Sequence, residues 1–319
     1  MFFDKNPGSV RKVRYIGVTE SGVGQRLDNY LLRLWKDVPK SHVYRLIREG
    51  QVRVNGSRSK VSRKLGAGDQ IRLPPIRTSA RTQKAIPNHL KILQDCTLYE
   101  DKSVLIIDKP SGIAVHGGTR IAGGVIEALR EYRKLDTYLE LVHRLDRETS
   151  GCLIVAKNPA VLRFLHSALR DSSSNRISKR YLSLLVGHWT YGKREVKLRL
   201  STTRKAGDLQ RSTVAKTGRE ATTIITPIKV FKNHVLVEID LKTGRMHQIR
   251  AHAKGIGHPV AGDQKYGSHL ANRDLKKLGL NRLFLHAAEV ELTHPESGRK
   301  LRVKAPIPDN LKLVMEKLS

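Results

Sequence analysis

A polar segment near residue 80 constrains the fold, because it separates two regions whose apolar residues follow different patterns. The segment IRTSARTQKAIPNH, residues 76–89, is basic and bounded by proline, which is typical of a linker. The whole chain has 319 residues, too many for one small domain and enough for two. We therefore predict a small domain over residues 1–76, a linker over residues 77–92 and a larger domain over residues 93–319.

The first region has the pattern of two helices followed by a hairpin. Apolar residues recur at helical spacing in GQRLDNYLLRLW and again in PKSHVYRLIREG, so each segment predicts an amphipathic helix. Ser41 is the expected N-cap of the second helix, and Gly50 is its expected C-terminal stop. QVRVNGS then alternates into an Asn55–Gly56 turn, which is a strong hairpin signal, and GDQIRLPP predicts the next strand.

Basic side chains cluster on the second predicted helix and in the loop after the turn. Together with RLDNYL, K-S-x-x-x-R-x-I-R-x-G and V-x-V-N-G, this arrangement resembles the S4-type RNA-binding domain. The resemblance implies RNA contacts from Lys40, Arg45, Arg48 and Lys60. The alternative is an ordinary small domain whose basic side chains are only solvated.

The charge of the chain points to a polyanionic partner. Lysine and arginine number 60 against 29 acidic residues, a formal net charge of +31 spread along the whole chain. Nucleic acid is the expected polyanion. A membrane surface is the alternative, but the sequence has no basic amphipathic helix with a broad apolar face. Two cysteines, no secretory signal and no apolar run of about 20 residues favour a soluble cytoplasmic protein, which we expect to be a monomer that binds no membrane.

Strand and helix patterns are mixed in the larger region. The clearest strand patterns are SVLIIDKP, CLIVA, YLSLLVG and VLVEIDL, with a hairpin in VELTHPESGRKLRVKAP, and the clearest helices are GGVIEALREYRK, PAVLRFLHSALR and RMHQIRAHAKG. Their order has no regular βαβ repeat. We therefore predict the α+β class with a mixed β-sheet.

The usual signatures of metal, nucleotide and triad chemistry are missing from the sequence. The 13 histidines include no H-x-x-x-H pair, and the two cysteines lack ligand spacing. GGTRIAGG at residues 117–124 lacks the lysine and serine of a phosphate-binding loop, and no G-x-S-x-G is present. We therefore expect no metal site and no cofactor.

Carboxylate chemistry remains, and its candidate is Asp146. This residue lies in VHRLDRETSG between Arg144 and Arg147, just before the apolar run CLIVA. An aspartate among arginines stays ionised, and a positioned carboxylate can attack an electrophilic carbon or stabilise an oxocarbenium ion. A solvated surface loop is the alternative explanation for so many charges.

Four motifs, in this order, resemble the pseudouridine synthases of the RluA family: KPSGIAVHGG, HRLDRETSG, SKRYLSLLVG and KTGRMHQIRAH. The resemblance covers the region from about residue 95 to the end, and many members also carry an amino-terminal RNA-binding domain. Glu148 stands where aspartate is often seen, and Met246 where threonine is usual. The resemblance implies the pseudouridine synthase fold and the isomerisation of uridine in RNA, in which the base is detached at N1 and rejoined through C5 without cofactor or metal.

The resemblance also implies roles for individual residues. Asp146 is the expected catalytic carboxylate, whether it attacks the ribose or removes a ribose proton. Tyr181 is expected to stack on the target base near the proton that leaves C5, and Arg250 to pair with Asp146. Arg144 is expected to fill the gap left by the flipped uridine. Further substrate contacts are expected from His143, Arg245 and His247.

Two more segments indicate the type of RNA. VHGG at residues 115–118 and LNRLFLHAAEVELTHPESG at residues 280–298 resemble members of the family that modify large-subunit (23S) ribosomal RNA. Two alternatives stay open. One is a non-catalytic ribosome-assembly factor or RNA chaperone, and the other is an enzyme acting on transfer RNA or another ribosomal site. The set of Asp146, Tyr181 and Arg250 favours an enzyme, because RNA binding alone does not need it.

Overall fold

The structure is a computed structural model that describes residues 13–35, 38, 40–76, 88–117, 123–133, 138–171, 176–203 and 211–319. The chain divides into two compact units, Met1–Ala85 and Ile86–Ser319. The predicted linker, like the glycine-rich segment GGTRIAGG, falls largely outside the described residues. The described part of the linker lies in a 3₁₀ helix, Asn88–Gln94. The domain limits given above stay a prediction.

In its described part, the first unit is an antiparallel sheet packed against two helices. Its elements are β1 (Arg14–Gly17), α1 (Leu27–Leu34), α2 (Lys40–Arg48), β2 (Arg53–Val54), β3 (Ser57–Arg58) and β4 (Gln70–Leu73). The strand order is β1-β4-β2-β3. The apolar faces of both helices meet in one core that includes Leu31, Val43 and Ile47, as their helical spacing predicts.

Three local features of this unit bear on the sequence predictions. Asn55 and Gly56 have φ angles of 51° and 76°, the two positive values of a type I′ turn, so the predicted hairpin is confirmed. The N-cap prediction for Ser41 is wrong: α2 begins at Lys40, and a cap must precede the first helical residue. Strand β1 was not predicted, because its four residues are mostly exposed and show no alternation.

Besides the 3₁₀ helix, the described part of the second unit contains twelve strands and five α-helices. They are β5 (Thr97–Glu100), β6 (Val104–Lys109), α3 (Val125–Tyr132), β7 (Glu140–Leu141), β8 (Ser150–Ala156), α4 (Pro159–Arg170), β9 (Ile177–Val186), β10 (Arg194–Lys197), β11 (Leu200–Thr203), β12 (Arg211–Val214), β13 (Thr222–Val230), β14 (His234–Leu241), α5 (Gln248–Gly255), α6 (His269–Lys277), β15 (Leu285–Thr293), β16 (Lys300–Lys304) and α7 (Asp309–Leu318).

Ten of these strands form one sheet. Its main path is β10-β13-β14-β9-β15-β8-β6-β5, with β16 beside β15 and β7 beside β8, while β11 and β12 form a separate hairpin. The pairing of β8 with β15 is parallel, and the other pairs are antiparallel. The predicted α+β class with a mixed sheet is confirmed. Among the described residues, no helix has both the length and the apolar composition needed to cross a membrane.

Helix α5 places polar and charged side chains in the core. Its first six residues, 248–253, are all buried, although they include a glutamine, an arginine and a histidine. Buried polar groups need partners inside the protein, and these find them: Gln248 donates to the backbone carbonyl of Thr222, at 3.0 Å, and His252 lies 3.0 Å from the hydroxyl of Thr223. The partners of Arg250 define the site described below.

Gly151 marks the parallel junction in the centre of the sheet. It pairs with Ala287 of β15 and has a φ of 105°, in the region that favours glycine. A Cβ at this position would collide with the backbone carbonyl of Ala287. The glycine therefore lets β15 approach β8 at the point where the HRLDRETSG segment enters the sheet.

Candidate active site

A cleft of about 620 Å³ opens where three of the sequence motifs meet. One wall comes from the loop before β8, one from β9, and one from the end of β14 with the start of α5. Its lining includes the seven residues that the sequence assigns to catalysis or substrate binding, which are Asp146, Tyr181, Arg250, Arg144, His143, Arg245 and His247. The fold thus brings together distant residues, such as Asp146 and Arg250, which lie 104 positions apart.

Asp146 is held by a buried arginine. Its Oδ2 lies 3.2 Å from Nη1 of Arg250, and the carboxylate side chain keeps 19% of its surface exposed to the cleft. Arg250 also donates from Nε and Nη2 to Asp263, at 2.7 and 2.8 Å. Burial opposes charge on Arg250, but the hydrogen bonds and charge of the two aspartates raise its pKa. The result is an Asp146–Arg250–Asp263 chain in which one guanidinium joins two carboxylates.

Asp263 is the buried end of the Asp146–Arg250–Asp263 chain and is held by further hydrogen bonds. Its side chain is fully buried, and it also accepts backbone N–H groups from Lys265 and Tyr266, at 2.8 and 3.0 Å. Burial acts to raise the pKa of Asp263, but the hydrogen bonds and charge of Arg250 outweigh it and hold the pKa below its ordinary value. Asp263 is therefore ionised and fixes the direction of the guanidinium.

The loop that carries Asp146 is tied to the KPSG turn. The ammonium of the fully buried Lys109 donates to the carbonyls of Pro110, Ile113 and Arg147, at 2.6, 2.9 and 3.1 Å. Three acceptors match the three protons of an ammonium group. Gly112 adds a reciprocal pair, since its N–H donates to the Arg147 carbonyl and its own carbonyl accepts from Arg147 Nε. These bonds fix the backbone immediately after Asp146.

Tyr181 projects from β9 into the same cleft. Only 6% of its surface is exposed. Burial, followed by the negative charge of Asp146, raises the pKa of Tyr181 above its ordinary value. The hydroxyl is therefore protonated at neutral pH, and the ring gives the cleft a flat apolar surface.

His247 lies beside the aspartate with a strained backbone. Its φ of 50° is unusual for a residue other than glycine. Its Nε2 is 3.8 Å from Asp146 Oδ2, and its Nδ1 is 2.9 Å from the hydroxyl of Tyr266. That hydroxyl also accepts the N–H of Ser212, which ties the His247 ring to β12. Burial lowers the pKa of His247, which favours the neutral imidazole.

Of the three remaining residues predicted to contact substrate, two lie exposed at the rim of the cleft and one is turned inward. Arg144 and Arg245 are exposed at the edge of the cleft, as are Arg170 and Lys242. His143 is turned inward, and its Nε2 accepts the N–H of Ile154 at 3.2 Å. Burial lowers the pKa of His143 to about 3, so this ring is neutral and fastens the loop to β8.

The residues predicted to bind RNA outside the cleft belong to the first unit. Lys40, Arg45 and Arg48 lie on α2, and Lys60 follows β3, and all four are exposed. They leave a basic helix and loop accessible to solvent. Within the described residues, no group of three or more His, Cys, Asp or Glu side chains is placed to hold a metal ion.

Sequence reasoning missed several members of the site. Asp263 and Tyr266 lie in VAGDQKYG, a short segment without a chemical motif. Lys109 and Lys179 stand inside recognised motifs but received no role. The available signal for Asp263 was indirect: an arginine on an otherwise buried helix requires a buried carboxylate, but the sequence does not say which one.

Comparison with known proteins gives consistent matches for both units. The family model described as RNA pseudouridylate synthase matches residues 103–254, and the model of the S4 domain matches residues 25–71. Ribosomal large subunit pseudouridine synthase C of Escherichia coli O157:H7 is 43% identical over 311 residues, which cover 96% of this chain and 97% of that protein. The protein of the same name from Pasteurella multocida is 42% identical over 306 residues, covering 95% and 93% of the two chains.

Solved structures give a similar result. Human RNA Pseudouridylate Synthase Domain Containing 4 superposes with a TM-score of 0.59 at 25% identity, over 72% of this chain and 95% of that chain. Human RNA Pseudouridylate Synthase Domain Containing 1 superposes with a TM-score of 0.54 at 26% identity, over 68% and 85%.

Proposed function

This chain belongs to the family of RNA pseudouridylate synthases and carries an S4 domain, and from that premise we propose that it converts uridine to pseudouridine in ribosomal RNA of the large subunit. The family resemblance of the four sequence motifs is confirmed, and so is the resemblance to the S4 domain. The two curated relatives described above, which match 95% or more of this chain, are named for the large ribosomal subunit, which supports this substrate over transfer RNA.

The observation that carries the proposal is the 3.2 Å contact between Asp146 and Arg250 in the cleft. Isomerisation breaks the bond between N1 and the ribose C1′ and forms one from C5 to C1′. A carboxylate held at the cleft surface can attack C1′, or it can remove a ribose proton, and both routes stay open. In either route Arg250 holds and directs the carboxylate, and the reaction moves bonds within one nucleotide without a cofactor.

The other residues of the cleft support the same reaction. Tyr181 stacks on the uracil ring, near the proton that must leave C5. A uridine reaches such a cleft only after it flips out of its stack, and the exposed Arg144 fills the space that it leaves. Arg245 and its exposed neighbours on the rim contact phosphates, and His143 and His247 shape the wall around Asp146.

The S4 domain supplies affinity from outside the cleft. Lys40, Arg45, Arg48 and Lys60 are exposed cations, and contacts to phosphates give position and register without reading sequence. We also propose that the protein acts in the cytoplasm, because its proposed substrate is ribosomal RNA. The monomeric state stays a prediction.

A non-catalytic ribosome-assembly factor is the competing function. Exposed cations would serve it equally well. The Asp146–Arg250–Asp263 chain argues against it, because two carboxylates on one buried guanidinium lower the attraction for RNA and add nothing to binding.

The test is to map pseudouridines in large-subunit ribosomal RNA from cells that lack this protein. Cells resupplied with the wild-type chain should regain specific pseudouridines, whereas cells with Asp146→Asn should not. Asp274→Asn, at an exposed position on α6, is the matched control and should restore them. If no ribosomal pseudouridine depended on the protein, or if Asp146→Asn restored them all, the proposal would be wrong.

A further inference from the structure

The cleft contains a second inner cation, Lys179, which does not belong to the Asp146–Arg250–Asp263 chain. Lys179 lies on β9, two residues before Tyr181, and its side chain lines the cleft. Unlike the rim cations, it is partly buried. Among the described residues, no carboxylate oxygen lies within 4.0 Å of its ammonium group. The nearby Asp240, whose charge favours the ammonium form, is already paired with Lys242 at 2.5 Å.

A partly buried ammonium without a counter-ion is costly, because it has lost water and gained no partner. Burial accordingly lowers the pKa of Lys179. Such groups are concentrated at functional sites, where a substrate supplies the missing charge. The position of Lys179 therefore calls for an anion that arrives with the RNA.

RNA brings two kinds of negative charge to this cleft. The phosphates are present from the start, and exposed cations at the mouth of the cleft are available for them, which are Arg144, Arg170 and Arg245. The second charge appears during the reaction. When the C1′–N1 bond breaks, its electron pair stays on the uracil ring, whether Asp146 attacks C1′ or removes a ribose proton. The ring then carries the charge over N1, O2 and O4 until C5 bonds to C1′, the C5 proton leaves and N1 is protonated.

We propose that Lys179 is the counter-ion of the detached uracil ring. The inference rests on the proposed function. Side chains two residues apart on a strand leave the same face, with Cα atoms separated by about 7 Å. Because Tyr181 stacks on the base, the Lys179 ammonium reaches the edge of that base from the inside of the cleft. A fixed positive charge that interacts with negative charge only as that negative charge develops lowers the activation barrier. It does not strengthen the binding of the RNA.

The experiment replaces Lys179 with methionine and, as a second neutral variant in case that one misfolds, with glutamine. Single-turnover rates are measured at saturating RNA together with the dissociation constant. We expect the saturated rate to fall by about 100-fold to 1,000-fold, the usual cost of removing one positioned charge or donor, while the dissociation constant stays near wild type. Lys232→Met, at an exposed turn outside the cleft, is the matched control and should keep both values.

A second substrate separates a charge effect from a packing effect. RNA with 5-fluorouridine at the target has a ring that bears negative charge more easily, so its detachment depends less on Lys179. The loss of rate in Lys179→Met, measured as consumption of the N-linked nucleotide, should be smaller for this RNA than for the uridine RNA. An equal loss for both substrates would show that Lys179 only supports the structure, and would overturn the proposal.

The remaining outcomes are also distinct. If Lys179→Met weakened binding and reduced the salt dependence but kept the saturated rate, Lys179 would bind a phosphate and the proposal would be wrong. If both neutral variants matched wild type in rate and affinity, Lys179 would have no part in the reaction. If wild type itself formed no pseudouridine in ribosomal RNA, the proposed function would fail first.

Discussion

Asp263 binds Arg250 through Nε and Nη2 together and leaves Nη1 for Asp146. The orientation of the Asp146 carboxylate is therefore determined by a residue outside the four motifs. A bidentate carboxylate fixes the plane of a guanidinium, and the backbone N–H groups of Lys265 and Tyr266 fix the carboxylate. The geometry at Asp146 depends on the loop after α5 as much as on the motif that contains Asp146.

Replacing Asp263 with asparagine should slow isomerisation and destabilise the protein. An amide places an NH₂ donor where the second carboxylate oxygen was, so the two-point pairing with Nε and Nη2 is lost and Arg250 loses its direction. Breaking a buried ion pair leaves an unmatched charge and costs about 3–5 kcal/mol. Single-turnover rates and denaturant unfolding measure the two effects, with Asp274→Asn on the exposed face of α6 as control. Wild-type rate and stability in the Asp263 variant would contradict the assigned role.

The same ion pair predicts how stability changes with pH. The pKa of Asp263 is lowered in the folded protein, so the folded state favours the ionised form. This contribution is fully present above the unfolded pKa, about 4, and is lost as pH falls through the lower folded pKa. The difference in unfolding free energy between wild type and Asp263→Asn should therefore be constant near neutral pH and shrink in acid. A difference that grew on acidification would contradict the prediction.

Gly151→Ala should destabilise the second unit and reduce activity. The new methyl group would meet the carbonyl of Ala287, and a φ of 105° is strained for alanine. Strain at such positions costs on the order of 1–3 kcal/mol, and the shift would move the loop before β8. Thermal unfolding and the saturated rate should both fall. Gly192→Ala, where a Cβ meets no neighbouring atom, is the control and should change neither.

Neutralising α2 should weaken RNA binding and leave the chemical step intact. In the triple variant Lys40→Gln, Arg45→Gln and Arg48→Gln, each lost phosphate contact should lower the slope of log affinity against log salt by about 0.7–0.9. The saturated rate should stay near wild type, since Asp146 and Arg250 are untouched. The matched control neutralises Arg273, Lys276 and Lys277, three exposed cations of α6. An unchanged slope in the α2 variant would show that this helix does not contact RNA.

Predictions from the sequence succeeded where periodicity and turn chemistry are local. The spacing of Leu27 and Leu31 was sufficient to predict α1, and the Asn55–Gly56 pair was sufficient to predict its turn. Strands β10, β11 and β12 were not predicted, because each has four residues and is largely exposed. A strand of this kind is defined by its neighbours in the sheet, and the sequence does not name them.

The candidate site shows the same division between local and distant information. The motifs predicted the contact between Asp146 and Arg250, although its partners are 104 positions apart. They gave no indication of Asp263, because a single acidic residue in a polar loop is ordinary on any surface. Lys179 could be predicted only as a strand residue. Its lack of a counter-ion becomes visible when the cleft around it is known.

The parallel junction of β8 and β15 has a consequence for the growing polypeptide. Ser150 pairs with His286, which is translated 136 positions later. The end of β8 pairs with the earlier strand β7, but its start keeps an unpaired edge until β15 has been translated. Unpaired edges of apolar strands favour association between chains, and contacts of such long range form slowly. We therefore expect the nascent chain to need protection by chaperones, and rapid overproduction at high temperature to deposit this enzyme in inclusion bodies.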